Sequence, residues 1–303
     1  MIRRAATGLA LIIGLAASTA VAEPPAFTPR SVADAPADGF GDAVRLGARL
    51  MTDTAATAPQ HVGNGLRCAN CHLDAGSKAG AAPLWAAFVN FPAFRPKNRE
   101  VNSFQKRVQE CFLYSMNGAP PLLGSPVLIA IESYAYFMAK GLPLGESPPG
   151  RGFPAIAAPP QPASFKRGQR VYNDVCASCH GPQGAGMRPD GGDPIPPLWG
   201  PQSYNWGAGM ARIDRAAAFI HANMPLGQAG TLTVQQAWDV ATYIDSQVRP
   251  QDPRFTGDAA ATRLAFHDTP QSMYGRTVGK SVLGAAATTP PSGAKTGPNG
   301  PEH

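Results

Sequence analysis

The sequence predicts an all-α chain in which one helical plan is used twice. Apolar residues recur at helical spacing over 41–54, 101–116, 126–140, 165–175, 212–222 and 233–248. The pattern Cys-x-x-Cys-His stands at 68–72 and again at 176–180, each time with one such stretch before it and others after. Between the copies, 142–164 is dense in proline and glycine with little periodicity, as an interdomain linker is.

Taken in order, 1–22 reads as a secretory signal. Arg3 and Arg4 give its positive start, Leu9 to Leu15 its apolar centre, and Ala20-Val21-Ala22 a small-residue cleavage site before Glu23. The apolar centre is short for a membrane span and is broken by Gly14, and no other segment is long and apolar enough to cross a bilayer. Residues 23–36 are Pro- and Ala-rich and are expected to be extended. The helix over 41–54 carries Val44, Ala48 and Met51 on one side, and 55–65 is a loop leading to the first signature. A short helix is expected over 82–90, then irregular backbone around Pro92, Arg95 and Pro96. The helix over 101–116 sets Phe104, Val108, Cys111, Phe112 and Ser115 on adjoining parts of one surface before Asn117-Gly118 stops it. A helix over 126–140, closed by Gly141, completes an N-terminal domain of 23–141.

Beyond the linker, the helix over 165–175 leads into the second signature, and 181–201 is a Gly/Pro-rich loop. A helix over 212–222, the segment Met224-Pro225-Leu226-Gly227 and a last helix over 233–248 complete a C-terminal domain of 165–250. Gly168 and Tyr172, one turn apart, are the small-then-aromatic pair that lets the first helix of this copy cross its last closely; Gly47 and Met51 take that place in the first copy. Residues 251–303 are polar and Pro/Gly-rich, an extension expected to be partly disordered beyond Val278.

Length and charge narrow the function. The 303 residues suit about two domains, and 15% charged residues with 33 Gly and 32 Pro describe a loop-rich globular protein. The formal net charge is +6, and loss of Arg3 and Arg4 with the signal lowers it. There is no basic run and no aromatic-basic interleaving, so nucleic acid is not an expected partner. A modest positive field favours small anions. The mature protein is expected in the periplasm, without a membrane span once the signal is cleaved. In that oxidising compartment Cys111, which belongs to neither signature, needs a partner or a protector, and a metal bond is one.

Cys-x-x-Cys-His is the pattern for covalent attachment of a c-type haem. Cys68 and Cys71, and again Cys176 and Cys179, would add to the haem vinyl groups, while His72 and His180 become the proximal iron ligands. A zinc site made from the four cysteines would leave both histidines unexplained. Helix, signature, loop, distal ligand and final helix is the layout of a class I cytochrome c domain. The prediction is therefore two such domains, each around a covalent haem c, joined by the Pro/Gly-rich linker. For the second haem the distal ligand is read as Met224, on its fixed Met-Pro-Leu-Gly segment; Met210 and His221 are rivals, and Met187 is too near the signature. Met/His ligation raises the potential and suits an electron exit. For the first haem, spacing leaves Cys111, Met116 and His61 open. A thiolate there would lower the potential, whereas Met116 would make an ordinary carrier.

Cys68-Ala69-Asn70-Cys71-His72-Leu73-Asp74-Ala75-Gly76, the run Arg107-x-x-x-Cys111-x-x-x-Ser115-Met116-Asn117-Gly118, and Asn223-Met224-Pro225-Leu226-Gly227 together resemble the periplasmic dihaem thiosulfate dehydrogenases. These are relatives of the Sox-pathway cytochromes that bind sulfur anions. The likeness covers most of 40–275, and its specific part is the run around Cys111. It implies a first haem held by His72 and Cys111 as the active site and a second haem that passes electrons out. Arg107, Cys111 and Ser115 match the family's active-site arginine, cysteine and serine. The family has a further arginine upstream, for which Arg95 and Arg99 are both in range. Some members carry a lysine before the distal methionine of the second haem, where this chain has Asn223.

The chemistry asks for those residue types. Thiosulfate is a dianion, and at about 4 Å each pair of like unit charges costs about 4 kcal/mol at an effective dielectric near 20. Arg107, one turn before Cys111, can fork onto sulfonate oxygens, and Ser115, one turn after it, can donate to the same anion. For Arg107 the alternative is a solvated helix face or a haem propionate partner, and for Ser115 an ordinary back-bonded helix hydroxyl. The function read from the sequence is oxidation of two thiosulfates to tetrathionate, with electrons passing through two haems to a cytochrome or similar acceptor. The alternatives are a dihaem electron carrier without a substrate site and a tetrathionate reductase.

Overall fold

The computed structural model describes residues 27–190 and 192–285. The expected signal over 1–22 and the end of the expected extension, 286–303, lie outside them. The main elements are α1 (Gly39–Thr52), α2 (Leu84–Phe88), a hairpin of β1 (Ala93–Arg95) and β2 (Glu100–Asn102), α3 (Phe104–Glu110) and α4 (Pro126–Ala139). After the linker come α5 (Phe165–Val171), α6 (Ile213–Asn223), α7 (Val234–Asp245), α8 (Ala259–Phe266) and a small hairpin of β3 (Thr277–Val278) and β4 (Ser281–Val282). The fold is mostly helical, as predicted. None of the described helices is long and apolar enough to cross a membrane.

The helices begin where their caps dictate. Asp38 accepts from Gly41 N at 2.9 Å at the start of α1, and Ser125 and Thr233 cap α4 and α7 in the same way. Both predicted close crossings are present. A Cβ at Gly47 would overlap the Ala130 carbonyl of α4, and one at Gly168 would overlap the Asp239 carbonyl of α7. Tyr172, fully buried, packs between Trp199 and Tyr243 at centroid distances of 4.9 and 5.4 Å.

The structure departs from the sequence reading at two kinds of place. Around Pro92, Arg95 and Pro96 the chain forms a hairpin with Phe94 opposite Val101, not irregular backbone. The helix predicted over 101–116 starts only at Phe104, where Ser103 accepts from Lys106 N at 3.1 Å, and its α part ends at Glu110. Cys111–Ser115 form a π-helical turn, with Met116 N–H donating to the Cys111 carbonyl at 2.9 Å. The helix ahead of the second signature likewise widens into a π turn over Tyr172–Cys176.

Buried apolar side chains gather into two clusters. The first contains Leu50, Trp85, Phe112, Met116, Ile131 and Met138, and is closed by Tyr204, Trp206, Tyr274 and Leu283 from far along the chain. The second contains Tyr172, Phe219, Trp238, Val240 and Tyr243, together with Leu73 and Ala81 from beside the first signature. Met210 and Met273 pack against both. The two halves therefore share their cores.

The expected extension is packed against the rest of the chain as far as the described residues reach, at 285. Tyr274 is fully buried and stacks on His267 at 4.3 Å, Leu283 is 3% exposed, and Gln251 Nε2 donates to Gly284 O at 2.7 Å. Two apolar side chains that fill slots in the first cluster outweigh the polar composition around them.

Candidate functional site

A backbone carbonyl fixes the ring of His72 in the first signature. Nδ1–H donates to Ala82 O at 2.6 Å, which leaves Nε2 as the nitrogen free to bind a metal. Thr54 Oγ1 donates to Cys68 Sγ at 3.4 Å and accepts from Cys68 N at 3.1 Å. Burial pushes the Cys68 thiol up to about 11 and the Cys71 thiol up to about 12. Cys111 behaves in the opposite sense. Burial would raise it, but the Arg107 guanidinium and the His72 imidazole, which is within hydrogen-bonding reach, outweigh burial and hold it down at about 7. Of the three candidates opposite His72, Cys111 is the one that meets it. Met116 is 2% exposed within the first cluster, and the His61 ring packs against Phe112 at a centroid distance of 5.9 Å.

The arginines then sort themselves. Arg107, one α turn before Cys111, pairs with Glu110 Oε2 at 3.3 Å. Cys111 first, and then Glu110, push its guanidinium above the ordinary range despite burial. Arg95 on β1 is half-buried, and its Nε is buried with no hydrogen-bond partner. Burial and the neighbouring Arg107 hold it below the ordinary arginine value. Arg99 is exposed and occupies the hairpin turn at φ 56°. The structure thus gathers Arg95 with Arg107 and Cys111, and turns Arg99 away. Ser115 ends the π turn, where its carbonyl accepts from Asn64 Nδ2 at 2.8 Å. The wider turn rotates it relative to the position that α spacing gives.

Glu110 was not legible as a site residue. It is 8% exposed and also accepts from Asn98 Nδ2 at 3.2 Å, so it is a fixed counter-charge for Arg107. Its spacing of three from Arg107 was the available signal. Lys97, above the Tyr114 ring at 3.5 Å and donating to Gly207 O at 2.7 Å, had no such signal, nor had Asn205.

In the second signature His180 Nδ1–H donates to Pro196 O at 2.9 Å, again leaving Nε2 free, and burial lowers the imidazole. Burial pushes the Cys176 thiol up to about 11, while Cys179 is exposed. Met224 follows the last residue of α6 and packs into the second cluster with Cys176. Among its rivals, Met210 lies between the clusters and Met187 is 42% exposed. His221 remains a rival, since its Nδ1 bond to Leu232 O at 2.9 Å leaves Nε2 free just as in His72 and His180. Asn223, 1% exposed, donates to both Phe219 O and Gly80 O at 3.2 Å. Among the described residues no three His, Cys, Asp or Glu side chains converge to hold a bare ion. The residues do fit haem c: each signature offers two unpaired thiols beside an apolar cluster and an imidazole whose Nδ1 proton is held by a carbonyl.

Comparison with known proteins agrees with this arrangement. A family described as cytochrome c oxidase, cbb3-type, subunit III matches residues 163–244. The thiosulfate dehydrogenase of Thiomonas intermedia (strain K12) is 51% identical over 85% of this chain and 82% of its own length. That of Stutzerimonas stutzeri (strain A1501) is 45% identical over 85% of each chain. That of Allochromatium vinosum is 36% identical over 82% of this chain and 93% of its own. The solved thiosulfate dehydrogenase TsdBA of Marichromatium purpuratum, in its as-isolated form, superposes with a TM-score of 0.82 at 47% identity. The match covers 86% of this chain and 57% of that one. With relatives this similar over most of its length, and with a cytochrome signature in each half, the chain belongs to the thiosulfate dehydrogenase family of cytochromes c.

Proposed function

We propose that the protein oxidises two thiosulfates to tetrathionate in the periplasm and passes the two electrons to a cytochrome or similar acceptor. The observation that carries this reading is the Cys111 thiol, held between His72 and Arg107 and depressed by both. Cys68, Cys71, His72 and Cys111 would hold one haem c, and Cys176, Cys179, His180 and Met224 would hold a second. The chain then comprises two class I cytochrome c-type domains, 23–141 and 165–250. The haems, when attached, supply the one-electron oxidising centres.

The chain's own residues do the rest. Cys111 Sγ, as thiolate, bonds to the sulfane sulfur of one thiosulfate with loss of two electrons, leaving Cys111–S–S–SO3⁻. The sulfane sulfur of a second thiosulfate attacks the outer sulfur of that adduct. The Cys111–sulfur bond breaks, tetrathionate departs, and the thiolate is restored. Arg107 and Arg95 offset the sulfonate charge, and the unpartnered Arg95 Nε is a donor already desolvated for an anion.

The test is thiosulfate-dependent reduction of an artificial acceptor by the purified holoprotein, with tetrathionate formed in step with every two electrons. Cys111→Ala should export, fold and take up haem, yet show only background turnover. Cys111→Met restores a soft side chain without the thiol, so substantial turnover in that variant would overturn the covalent mechanism.

A further inference from the structure

We propose that the linker, residues 142–164, is a brace for the first iron site and not a spacer. Its segment 150–152 holds the Ala82 carbonyl that orients the His72 ring, and Asn223 ties the same place to the Met224 end of α6. The proposal rests on the reading of His72 and Met224 as iron ligands and adds the residues that position them.

Ala82 holds φ at 50°, a left-handed conformation that an alanine keeps only where its surroundings fix it. Its N–H donates to Gly152 O at 2.8 Å, and two residues earlier Gly80 N–H donates to Gly150 O at 2.8 Å. Between them Ala81 is fully buried in the second cluster. The two segments approach closely, since a Cβ at Gly150 would stand 2.8 Å from Ala79 Cβ. Held in this way, the Ala82 carbonyl accepts from His72 Nδ1 at 2.6 Å. The strained residue is thus pinned through its N–H by the linker and orients the imidazole through its carbonyl.

The linker can brace because it is itself fastened on both sides. Just after α2, Gly145 N–H donates to Val89 O at 2.7 Å, and Glu146 O accepts from Asn90 Nδ2 at 2.8 Å. Beyond Gly152, the Phe153 ring meets Phe219 of α6 at a centroid distance of 5.2 Å, and Ala157 O accepts from Trp238 Nε1 of α7 at 2.9 Å. Asn223 closes the loop. It is 1% exposed, and its Nδ2 donates at 3.2 Å both to Phe219 O, one turn earlier, and to Gly80 O. Met224 follows directly, with its own N–H on Ile220 O at 2.9 Å. The segment 80–82 therefore carries a bond toward each ligand segment, from Ala82 O to His72 and from Gly80 O to Asn223.

A carbonyl on Nδ1–H makes Nε2 a stronger donor and lowers the potential of a haem bound there. That effect needs the carbonyl to be fixed. A flexible spacer would set the reach between the halves and nothing else. Here the ties of the linker set the donor strength of His72, and they share that setting with the segment carrying Met224.

The test uses the holoprotein and no thiosulfate, so its result is independent of whether the protein oxidises thiosulfate. Gly150→Val drives a side chain into Ala79 and should lift 150–152 from 80–82. Amide exchange over 78–83 should accelerate about two- to ten-fold, the value of one net hydrogen bond. The midpoint potential of the first haem should rise in a spectroelectrochemical titration. Asn223→Ala creates no overlap and carries the test if Gly150→Val does not fold. It should accelerate exchange over the same residues and shift the potentials of both haems. Pro160→Ala, in an exposed part of the linker outside these contacts, should change neither readout. Unchanged exchange, or faster exchange with an unchanged first potential, overturns the proposal and leaves the linker a strap for stability. So does an equal shift in Pro160→Ala, which would make chain stiffness the cause. An Asn223→Ala protein in which only the second haem responds overturns the tie between the two sites. Met224→Gly with an unshifted second potential would instead remove the ligand reading on which the proposal rests.

Discussion

At the scale of single residues, Arg107 is the side chain whose charge the site depends on most directly. It touches Glu110, depresses Cys111 and opposes Arg95, so its removal changes the anion field without removing a candidate iron ligand. Arg107→Gln should lower kcat/KM for thiosulfate roughly ten- to a hundred-fold, as steady-state kinetics will read, while the haem absorption bands stay nearly unchanged. Asp252, whose partner Arg254 lies over the Tyr114 ring at 5.1 Å, offers a test of stability. Burial would raise this carboxyl, but hydrogen bonds from His267 at 2.8 Å and from Arg254 at 2.7 Å outweigh burial and hold it well below the ordinary range. A depressed carboxyl contributes stability that is complete above its unfolded value, near 3.9, and is lost as pH falls below it. Asp252→Asn should therefore destabilise the protein at neutral pH by about 3–5 kcal/mol and flatten its stability between roughly pH 5 and 3, as denaturant titrations at several pH values will show.

The elements show which features a sequence displays and which it hides. α1, α4 and α7 were legible because each joins a capping residue to a continuous apolar stripe. The crossings were legible because a glycine one turn from a large side chain has few other uses in a helix. The hairpin 93–102 was not, since strands of three residues are too short to show alternation and both Phe94 and Val101 face solvent. The π turn at Cys111 was not, because nothing in the residue types separates it from a continuing α-helix; the wider ring is set by packing of Phe112 and Tyr114 into the first cluster. The crossing of α5 with α7 gives the prediction at this scale. Gly168→Val places its side chain on the Asp239 carbonyl, so the two helices must separate. Stability should fall by about 1–3 kcal/mol in chemical denaturation, with the second haem's surroundings disturbed before the first's.

In the whole molecule the site is spread over residues that no sequence window contains. The signatures, Cys111 and Arg107 could be read from spacing and resemblance, because their chemistry is local. Asn64 and Asn205 could not, because their use depends on how the halves meet. Asn205 is fully buried and makes that meeting specific. Its Nδ2 donates to Leu113 O at 2.9 Å and to Asn117 Oδ1 at 3.0 Å, its N–H donates to Tyr114 O at 3.1 Å, and its own Oδ1 accepts from Gly207 N at 3.0 Å. Thus the second half grips the turn that carries Cys111 from outside, while Asn64 Nδ2 bonds to both Ser115 O and Ser203 O, at 2.8 and 3.1 Å. Asn205→Ala leaves the Leu113 carbonyl and Gly207 N–H buried and unpaired, at about 1–3 kcal/mol for each. The backbone bond to Tyr114 survives, so the halves should stay together and both haem spectra should persist. What should change is the local opening of the Cys111 turn: amide hydrogen exchange over 111–118 should accelerate, and thiosulfate turnover should fall in parallel. If exchange there is unchanged, the first half holds the Cys111 turn alone, and the shared core serves stability rather than the site.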